Sequence, residues 1–170
     1  MRVFRQIEWR TEDYLTKEMA KHHCYGMSLC EIQNYEIVWQ KALGTRRMKA
    51  ADAALPDTLF QAGSISKALF SLAVMHLVQE ESLELDKDVN EYLKAWQLPA
   101  SIGIAAHVTL RQLLSHTAST TVHGFPGYEI DEPIPSLLQI LEGAAPANTL
   151  PIRIDGMPGQ RYQYSGGGSC

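Results

Sequence analysis

Apolar and polar residues alternate with different periods along the chain, and these periods predict helices and strands. Residues 7–22 place a few apolar side chains among many charges, which is typical of an amphipathic helix that faces solvent. Residues 25–32 and 36–43 have strand patterns on either side of residues 33–35, and Gly44 closes the second strand. This part of the chain therefore predicts a β-hairpin.

The longest apolar surface follows Ser64. Its side chains recur at helical spacing and widen the surface beyond a single stripe: Leu69, Phe70, Leu72, Ala73, Val74 and Leu77. A helix that is apolar over so wide a surface is normally buried. The sequence therefore predicts a central helix that begins at Ser64 and is nearly enclosed by protein.

The flanking regions predict short elements. Residues 46–56 have mixed polarity and end at a proline, which indicates a loop, and residues 58–62 indicate a short extended piece. Residues 83–89 predict a turn into a short helical piece that ends near Pro99.

Two further helices are marked by their ends. Thr109 and Gln112 have capping-box spacing, in which the two side chains satisfy the first backbone amides, and this predicts a helix over 110–115. Residues 136–142, between a proline and a glycine, predict another helix. Residues 117–135 are rich in Thr, Gly and Pro and predict an irregular excursion.

The composition is that of a globular protein. The 170 residues are 45% hydrophobic and 20% charged, and the net charge is -4. These values suit about one domain with a hydrophobic core. Lys and Arg form no run beyond Arg46 and Arg47, so the chain lacks the basic surface of a nucleic-acid-binding protein and nucleic acid is not an expected partner.

No segment has the pattern of a membrane span. The longest apolar run, residues 68–78, is interrupted and is shorter than the ~20 residues that cross a bilayer. The first residues are charged and lack the apolar run of about 7 to 15 residues that marks a secretory signal. The compartment stays open: cytoplasmic as given, periplasmic or secreted if the chain has been processed.

The three cysteines, Cys24, Cys30 and Cys170, are too few for a disulfide framework. They also match no zinc-ligand spacing. Buried thiols are their expected role, and the sequence predicts neither a metal nor an organic cofactor.

The most specific chemical pattern is Gly-Ser-Ile-Ser-Lys at residues 63–67. Lys67 lies three residues after Ser64, so on a helix the ammonium can reach the serine oxygen. A serine hydroxyl needs a neighbouring base or a local field to become a nucleophile, and a lysine in a partly apolar site can act as that base. The alternative is that Ser64 only caps the helix. Ser66 is a rival, although it points away from the face shared by Ser64 and Lys67.

The second pattern is Tyr-Gln-Tyr-Ser-Gly at residues 162–166. A phenol beside a lysine and a serine can be held as phenolate or can carry a proton, because a nearby cation lowers its pKa. The alternative is that Tyr162 and Tyr164 alternate at strand spacing and serve only as packed rings.

Taken together and in order, the patterns at 63–67, 113–117 and 158–166 resemble the class C β-lactamase family, which also includes penicillin-binding DD-peptidases and related esterases. The resemblance covers residues from about 26 to the last. It implies an α+β, β-lactamase/transpeptidase-like fold in which a helical region packs on an antiparallel sheet.

The resemblance also implies roles for individual residues. Ser64 is expected to be the acylated nucleophile, Lys67 its activating partner, and Tyr164 the tyrosine of the family's Tyr-x-Asn motif; which of Lys67 and Tyr164 is the base stays open. The backbone amide of Ser64 is expected to donate to the oxyanion. His116 has no motif role and is expected to be structural. The expected partner is a small-molecule acyl substrate: a β-lactam, an ester or a peptide.

The chain departs from the family pattern in three places. Gly166 stands where the family often has Asn, which weakens the lactamase interpretation and is compatible with an esterase or peptidase. Ala118 and Ser119 stand where relatives usually have Ser-Gly. No Lys or His followed by Thr or Ser and Gly occurs after Tyr164, so the family's third motif has no match.

These departures predict an incomplete domain over 1–170, with a helix and hairpin in 1–62 and a mainly helical region in 63–170. The C-terminal strands and helix of the family fold are expected to be absent, supplied by a missing segment or by a second chain, because a two-stranded sheet alone is marginal. The functional hypotheses are a serine hydrolase, either lactamase, esterase or DD-peptidase, and a non-catalytic fragment that pairs with another chain.

Overall fold

The computed structural model describes residues 11–48, 51–101 and 107–169. These residues combine helices with a two-stranded antiparallel sheet, which confirms the α+β class. The chain clusters into two compact units, one ending at Gln61 and the other beginning at Ala62. The grouping of residues 1–62 and 63–170 into one incomplete domain stays a prediction.

The first unit begins with helix α1, Glu12–Lys21. The Thr11 side chain caps it, acidic residues occupy its first turn and a lysine its last, as the helix dipole favours. Leu15 and Met19 lie one turn apart and are buried. The predicted helix over 7–22 is therefore confirmed from Glu12 onward, and its first residues lie outside the described part of the chain.

The hairpin follows α1. Strand β1, Gly26–Gln33, pairs antiparallel with strand β2, Glu36–Gly44. Gln33 faces the first residue of β2, so the turn consists of Asn34 and Tyr35, with φ of 50° and 66°. Positive φ at both positions matches the twist of paired strands. The predicted hairpin is confirmed, with a connection one residue shorter than expected because Gln33 belongs to the ladder.

In the second unit, a 3₁₀ turn at Gly63–Ile65 leads into helix α2, Ser66–Gln79. The predicted helix is present, but its α-helical part begins two residues after Ser64. The inward side chains recur at intervals of three and four residues, as one face of a helix requires. They are Lys67, Ser71, Val74 and Val78.

The predicted enclosure of α2 is wrong for the described part of the chain. Val74 is its buried residue, whereas Leu69 and Leu72 are 71% and 68% exposed. Phe70, Met75 and Leu77 are also exposed. The pattern correctly predicted a wide apolar surface on α2. Apolarity does not specify what covers that surface, and it is exposed among the described residues.

The remaining helices are short and capped. Helix α3, Leu110–Leu114, has the predicted capping box between Thr109 and Gln112. Helix α4, Leu137–Glu142, begins one residue later than expected because Ser136 is its N-cap, and Gly143, with φ 64°, is its C-cap. The piece expected to end near Pro99 is a single 3₁₀ turn at Val89–Glu91.

A small core holds the second unit together. Its members are less than 6% exposed and come from separated parts of the chain: Val89, Leu98, Val108, Ala118, Ile152 and Ile154. The backbone of Ile154 bridges both Ala100 and Thr120. Residues 117–135 form no helix or strand beyond the bridge at Thr120, as predicted. The core and the bridge at Thr120 thus hold the first residues of the irregular segment 117–135 in place.

Among the residues that the structure describes, no helix combines the length and the apolar character needed to cross a bilayer.

Candidate functional site

Ser64 lies in the 3₁₀ turn that enters α2. Gly63 precedes it with φ 52°, a left-handed conformation that glycine adopts without steric cost. A Cβ at this position would meet no atom within 4 Å. The requirement for glycine therefore comes from the backbone angle, which turns the chain just before Ser64.

Replacing Gly63 with Ala is expected to lower the free energy of unfolding by about 1–2 kcal/mol, because a Cβ in the left-handed region approaches the following carbonyl. Chemical denaturation measures the change. Gly124→Ala is the matched control, since Gly124 has equal open space and no left-handed φ. Equal stabilities of the two variants would contradict the conformational argument.

Lys67 lies beside Ser64, as the three-residue spacing predicted. Its Nζ donates to Ser64 Oγ at 3.3 Å. Lys67 is half-buried, whereas Ser64 is exposed. The structure thus pairs Lys67 with Ser64 and not with the rival Ser66, whose position at the first residue of α2 belongs to another face.

Tyr164 completes the arrangement from a position 100 residues away in sequence. Its hydroxyl lies 2.7 Å from Ser64 Oγ, a hydrogen bond in which either oxygen can donate. Lys67 Nζ lies 5.3 Å from the centre of the Tyr164 ring. The structure therefore brings together all three residues singled out in the sequence.

The contacts of Tyr164 lower its pKa. The hydrogen bond from Ser64 is the largest influence that lowers the pKa of Tyr164, followed by the hydrogen bond and positive charge of Lys67, while desolvation opposes them. Because Lys67 donates to Ser64 Oγ, the serine proton can point at the tyrosine oxygen. The bonds thus form a chain from the ammonium through the serine to the phenol.

Ser165 anchors the segment that carries Tyr164. It is 2% exposed. Its hydroxyl donates to the Thr121 carbonyl at 2.9 Å and accepts from the Gly168 amide at 3.0 Å. A buried hydroxyl is stable only when hydrogen-bonded, so these contacts fix the backbone next to Tyr164. The sequence signal for Ser165 is its place before three glycines, which indicates close backbone packing.

His116 lies closer to the site than its expected structural role suggested. Its ring centre is 4.5 Å from that of Tyr164 and 6.0 Å from that of Tyr162. Burial lowers the pKa of His116, and the charge of Lys67 lowers it further. The position of His116 after a short helix does not predict this contact, because the contact depends on where the distant segment 162–165 packs.

Gly166 makes room for an aromatic ring. A Cβ at this position would lie 3.1 Å and 3.3 Å from two carbons of the Phe125 ring and 3.4 Å from the His123 carbonyl oxygen. Any larger side chain at 166 therefore requires Phe125 to shift. Gly166, which stands where the family often has Asn, therefore lies in close contact with Phe125.

An apolar cavity of about 410 Å³ lies in the second unit and reaches Lys67 and His116. Its other walls include Phe70, Trp96 and Ile152, but neither Ser64 nor Tyr164 lines it. The cavity therefore borders the site at Lys67 and His116. In residues 11–48, 51–101 and 107–169 no cluster of three His, Cys, Asp or Glu side chains is placed to hold a metal ion.

Comparison with known proteins places the chain in a family. The Beta-lactamase family model matches residues 11–169. Esterase EstB of Burkholderia gladioli is 34% identical over 109 residues, which are 64% of this chain and 28% of the esterase. Protein flp of Staphylococcus aureus (strain N315) is 25% identical over 117 residues, 69% of this chain and 23% of that protein.

A solved structure shows the same fold. The octameric penicillin-binding protein homologue from Pyrococcus abyssi superimposes with a TM-score of 0.63 and 26% identity, over 92% of this chain and 35% of that one. The chain therefore spans about a third or less of the length of each of these relatives. Since the family model covers all of the described residues and the fold agrees, the chain belongs to the Beta-lactamase family.

Proposed function

We propose that this chain carries the nucleophile of a serine hydrolase that works through an acyl-enzyme. One observation carries the proposal: Ser64 Oγ lies within hydrogen-bond distance of both Tyr164 and Lys67. A hydroxyl held between a phenol and an ammonium has an acceptor for its proton and a cation to stabilise the resulting charge. The alternative roles, a helix cap for Ser64 and a packed ring for Tyr164, do not require Ser64, Lys67 and Tyr164 to lie in contact.

In the proposed reaction, Ser64 Oγ attacks the carbonyl carbon of an amide, lactam or ester. The serine proton passes to the Tyr164 phenolate, and the backbone amide of Ser64 donates to the developing oxyanion, which is worth about 3–4 kcal/mol in comparable sites. Tyr164 then gives the proton to the leaving group as the carbon–heteroatom bond breaks. Water, deprotonated by Tyr164, attacks the acyl-enzyme, and the proton returns to Ser64 as the acid is released.

Tyr164 is the base in this proposal, and Lys67 remains a cation. The Ser64–Tyr164 contact, at 2.7 Å, is shorter than the Ser64–Lys67 contact, at 3.3 Å. The lowered pKa of Tyr164, caused first by Ser64 and then by Lys67, also favours the form that accepts a proton. Lys67 then acts by holding negative charge on the tyrosine and by orienting the serine oxygen.

Replacing Lys67 with Met is expected to move the pH profile of Ser64 acylation to higher pH. The variant loses the hydrogen bond and charge of Lys67 that lower the pKa of Tyr164, so less phenolate is present at neutral pH. The rate at pH 7 should fall on the order of 10²-fold, and part of the loss should be recovered at alkaline pH. Stopped-flow acylation by a p-nitrophenyl ester measures the profile.

Lys67→Arg is the matched control, because it retains the charge and should shift the profile less. A loss in Lys67→Met that is the same at every pH would contradict the assignment, since it is the result expected if Lys67 itself were the base.

Esters are the favoured substrates within this proposal. Gly166 and the adjacent Phe125 provide no side-chain amide at the position where relatives often have Asn, and one relative is named an esterase. Turnover of p-nitrophenyl esters should therefore exceed turnover of nitrocefin. The ester reaction should begin with a burst of one nitrophenol per chain, which is the kinetic sign of an acyl-enzyme. Faster nitrocefin turnover would favour a lactamase.

The exposed face of α2 supports a second candidate, a chain that pairs with another polypeptide. Leu69 and Leu72 lie among several exposed apolar side chains on this helix, and contiguous apolar surface of this kind is typical of interaction sites. Size-exclusion chromatography with light scattering distinguishes the candidates. A complex without ester turnover would support a non-catalytic role, whereas an active monomer would contradict it.

A further inference from the structure

We propose that His116 and His123 hold the Tyr164–Ser165 peptide group between them in opposite tautomers, and that His116 is a positioning residue that works only when it is neutral. The inference rests on the proposed function in giving Tyr164 its catalytic role. The clamp itself rests on contacts to the peptide group.

His116 binds the amide side of this peptide. The Ser165 N–H donates to His116 Nδ1 at 3.4 Å, and the His116 carbonyl accepts from the Gln163 amide at 2.7 Å. A ring nitrogen that accepts a hydrogen bond carries no proton, so the neutral His116 ring has its proton on Nε2. Two bonds from one residue therefore hold the backbone on both sides of Tyr164.

His123 binds the carbonyl side. Its Nδ1 lies 2.7 Å from the Tyr164 carbonyl oxygen, which can only accept, so Nδ1 carries the proton. Its Nε2 lies 3.2 Å from the side-chain nitrogen of Gln163, which donates to it. In this contact Nε2 is the acceptor. The two histidines thus present an acceptor to the N–H and a donor to the C=O of the same peptide group.

Protonation of His116 would break the clamp. A proton on Nδ1 would face the Ser165 N–H, so two donors would meet and the amide of a residue that is 2% exposed would lose its acceptor. An unsatisfied buried donor is costly. The backbone could avoid the cost only by moving Tyr164, whose oxygen must stay at hydrogen-bond distance from Ser64.

The surroundings of His116 keep it neutral near pH 7. The titratable groups that face its ring are Lys67 from α2 and Tyr162 and Tyr164 from the returning segment. Burial and then the Lys67 charge lower the pKa of His116 below its usual 6.5. Protonation of His116, and the slower Ser64 acylation that follows from it, is therefore expected only below about pH 6.5.

The variants His116→Asn and His116→Gly isolate the acceptor. His116 has φ 56°, and Asn and Gly both tolerate this left-handed conformation. Only Asn offers an acceptor, its side-chain oxygen, at the same number of bonds from Cα as Nδ1, and it does not titrate. At pH 8, His116→Asn should acylate within about threefold of the unchanged protein, whereas His116→Gly should be at least about tenfold slower.

The pH profile separates positioning from packing. Once the pH falls below the lowered pKa of His116, the acylation rate of the unchanged protein should fall more steeply, approaching a hundredfold per pH unit, because both Tyr164 and His116 gain protons. The rate of His116→Asn should fall less steeply, by about tenfold per unit, because residue 116 no longer gains a proton and the loss that remains is that of the Tyr164 phenolate. Equal slopes in the two proteins, or equal rates of the Asn and Gly variants at pH 8, would overturn the positioning role.

Nitrogen NMR tests the clamp without any reaction. In protein with ¹⁵N-labelled histidine at pH 7.5, the His116 signals, assigned by their loss in His116→Asn, should show the Nε2–H tautomer. The His123 signals, assigned likewise with His123→Asn, should show Nδ1–H. A proton on Nδ1 of His116 would overturn the clamp. Failure of the proposed function is distinct, because it would appear as no acylation of Ser64 in the unchanged protein while these tautomers are present.

Discussion

Replacing Ser64 with Ala is expected to reduce ester turnover by about 10⁶-fold, the size of effect found when a serine nucleophile is removed from a hydrolase. The change deletes the oxygen proposed to attack and should leave the surrounding fold intact, because Ser64 is exposed and its side-chain hydrogen bonds within the described residues are those to Tyr164 and Lys67. Steady-state kinetics with a p-nitrophenyl ester measures the loss, and circular dichroism verifies the fold.

Ser66→Ala is the matched control for this prediction. Ser66 is an exposed serine two residues away, at the first position of α2, and its loss should change turnover less than about threefold. Turnover retained in Ser64→Ala and lost in Ser66→Ala would reverse the assignment of the nucleophile.

Replacing Tyr164 with Phe is expected to slow acylation of Ser64 by about 10²–10⁴-fold at neutral pH, the usual contribution of a general base. The variant keeps the ring that lies against His116 and removes only the oxygen at 2.7 Å from Ser64. In the unchanged protein the rate should rise with pH as the phenolate forms, at a lower pH than an ordinary tyrosine requires, because Ser64 and Lys67 lower the pKa of Tyr164. That rise should disappear in Tyr164→Phe.

Tyr162→Phe tests whether the loss is specific. Tyr162 is two residues away and more exposed than Tyr164, and its ring also lies against His116. Its variant should retain the rate and the pH dependence of the unchanged protein. A comparable loss in both variants would indicate that the phenols act through packing and not through proton transfer.

Short-range features of the fold were predictable from sequence. The capping box at Thr109 and Gln112, the hairpin, and the approach of Lys67 to Ser64 all depend on residues within a few positions of one another. The geometry of a single turn or ladder determines them. In such elements, residues that are close in sequence are also close in space.

Long-range features were not predictable in this way. Nothing in the local pattern around Tyr164 brings it to a serine 100 residues earlier; only the family resemblance did so. The contacts of His116 and His123 with the Tyr164–Ser165 peptide were not predicted for the same reason. A lone histidine in a loop has no periodicity, and its partner is set by how the core positions separate segments.

The predicted burial of α2 was wrong, although its apolar surface was predicted correctly. Residue type established that Leu69 and Leu72 belong to an apolar surface, and burial was inferred from that surface. Their exposure of 71% and 68% shows that burial requires a covering layer, which the described residues do not provide. A pattern of side chains on one helix contains no information about the presence of its neighbours.

The most direct test of the central claim is the position of a covalent label. The protein is treated with a fluorophosphonate, digested, and examined by tandem mass spectrometry. The proposed mechanism predicts one adduct per chain, on Ser64, which is lost in Ser64→Ala and retained in Ser66→Ala. An adduct on another residue, or a folded protein that takes no label at all, would contradict Ser64 as the nucleophile.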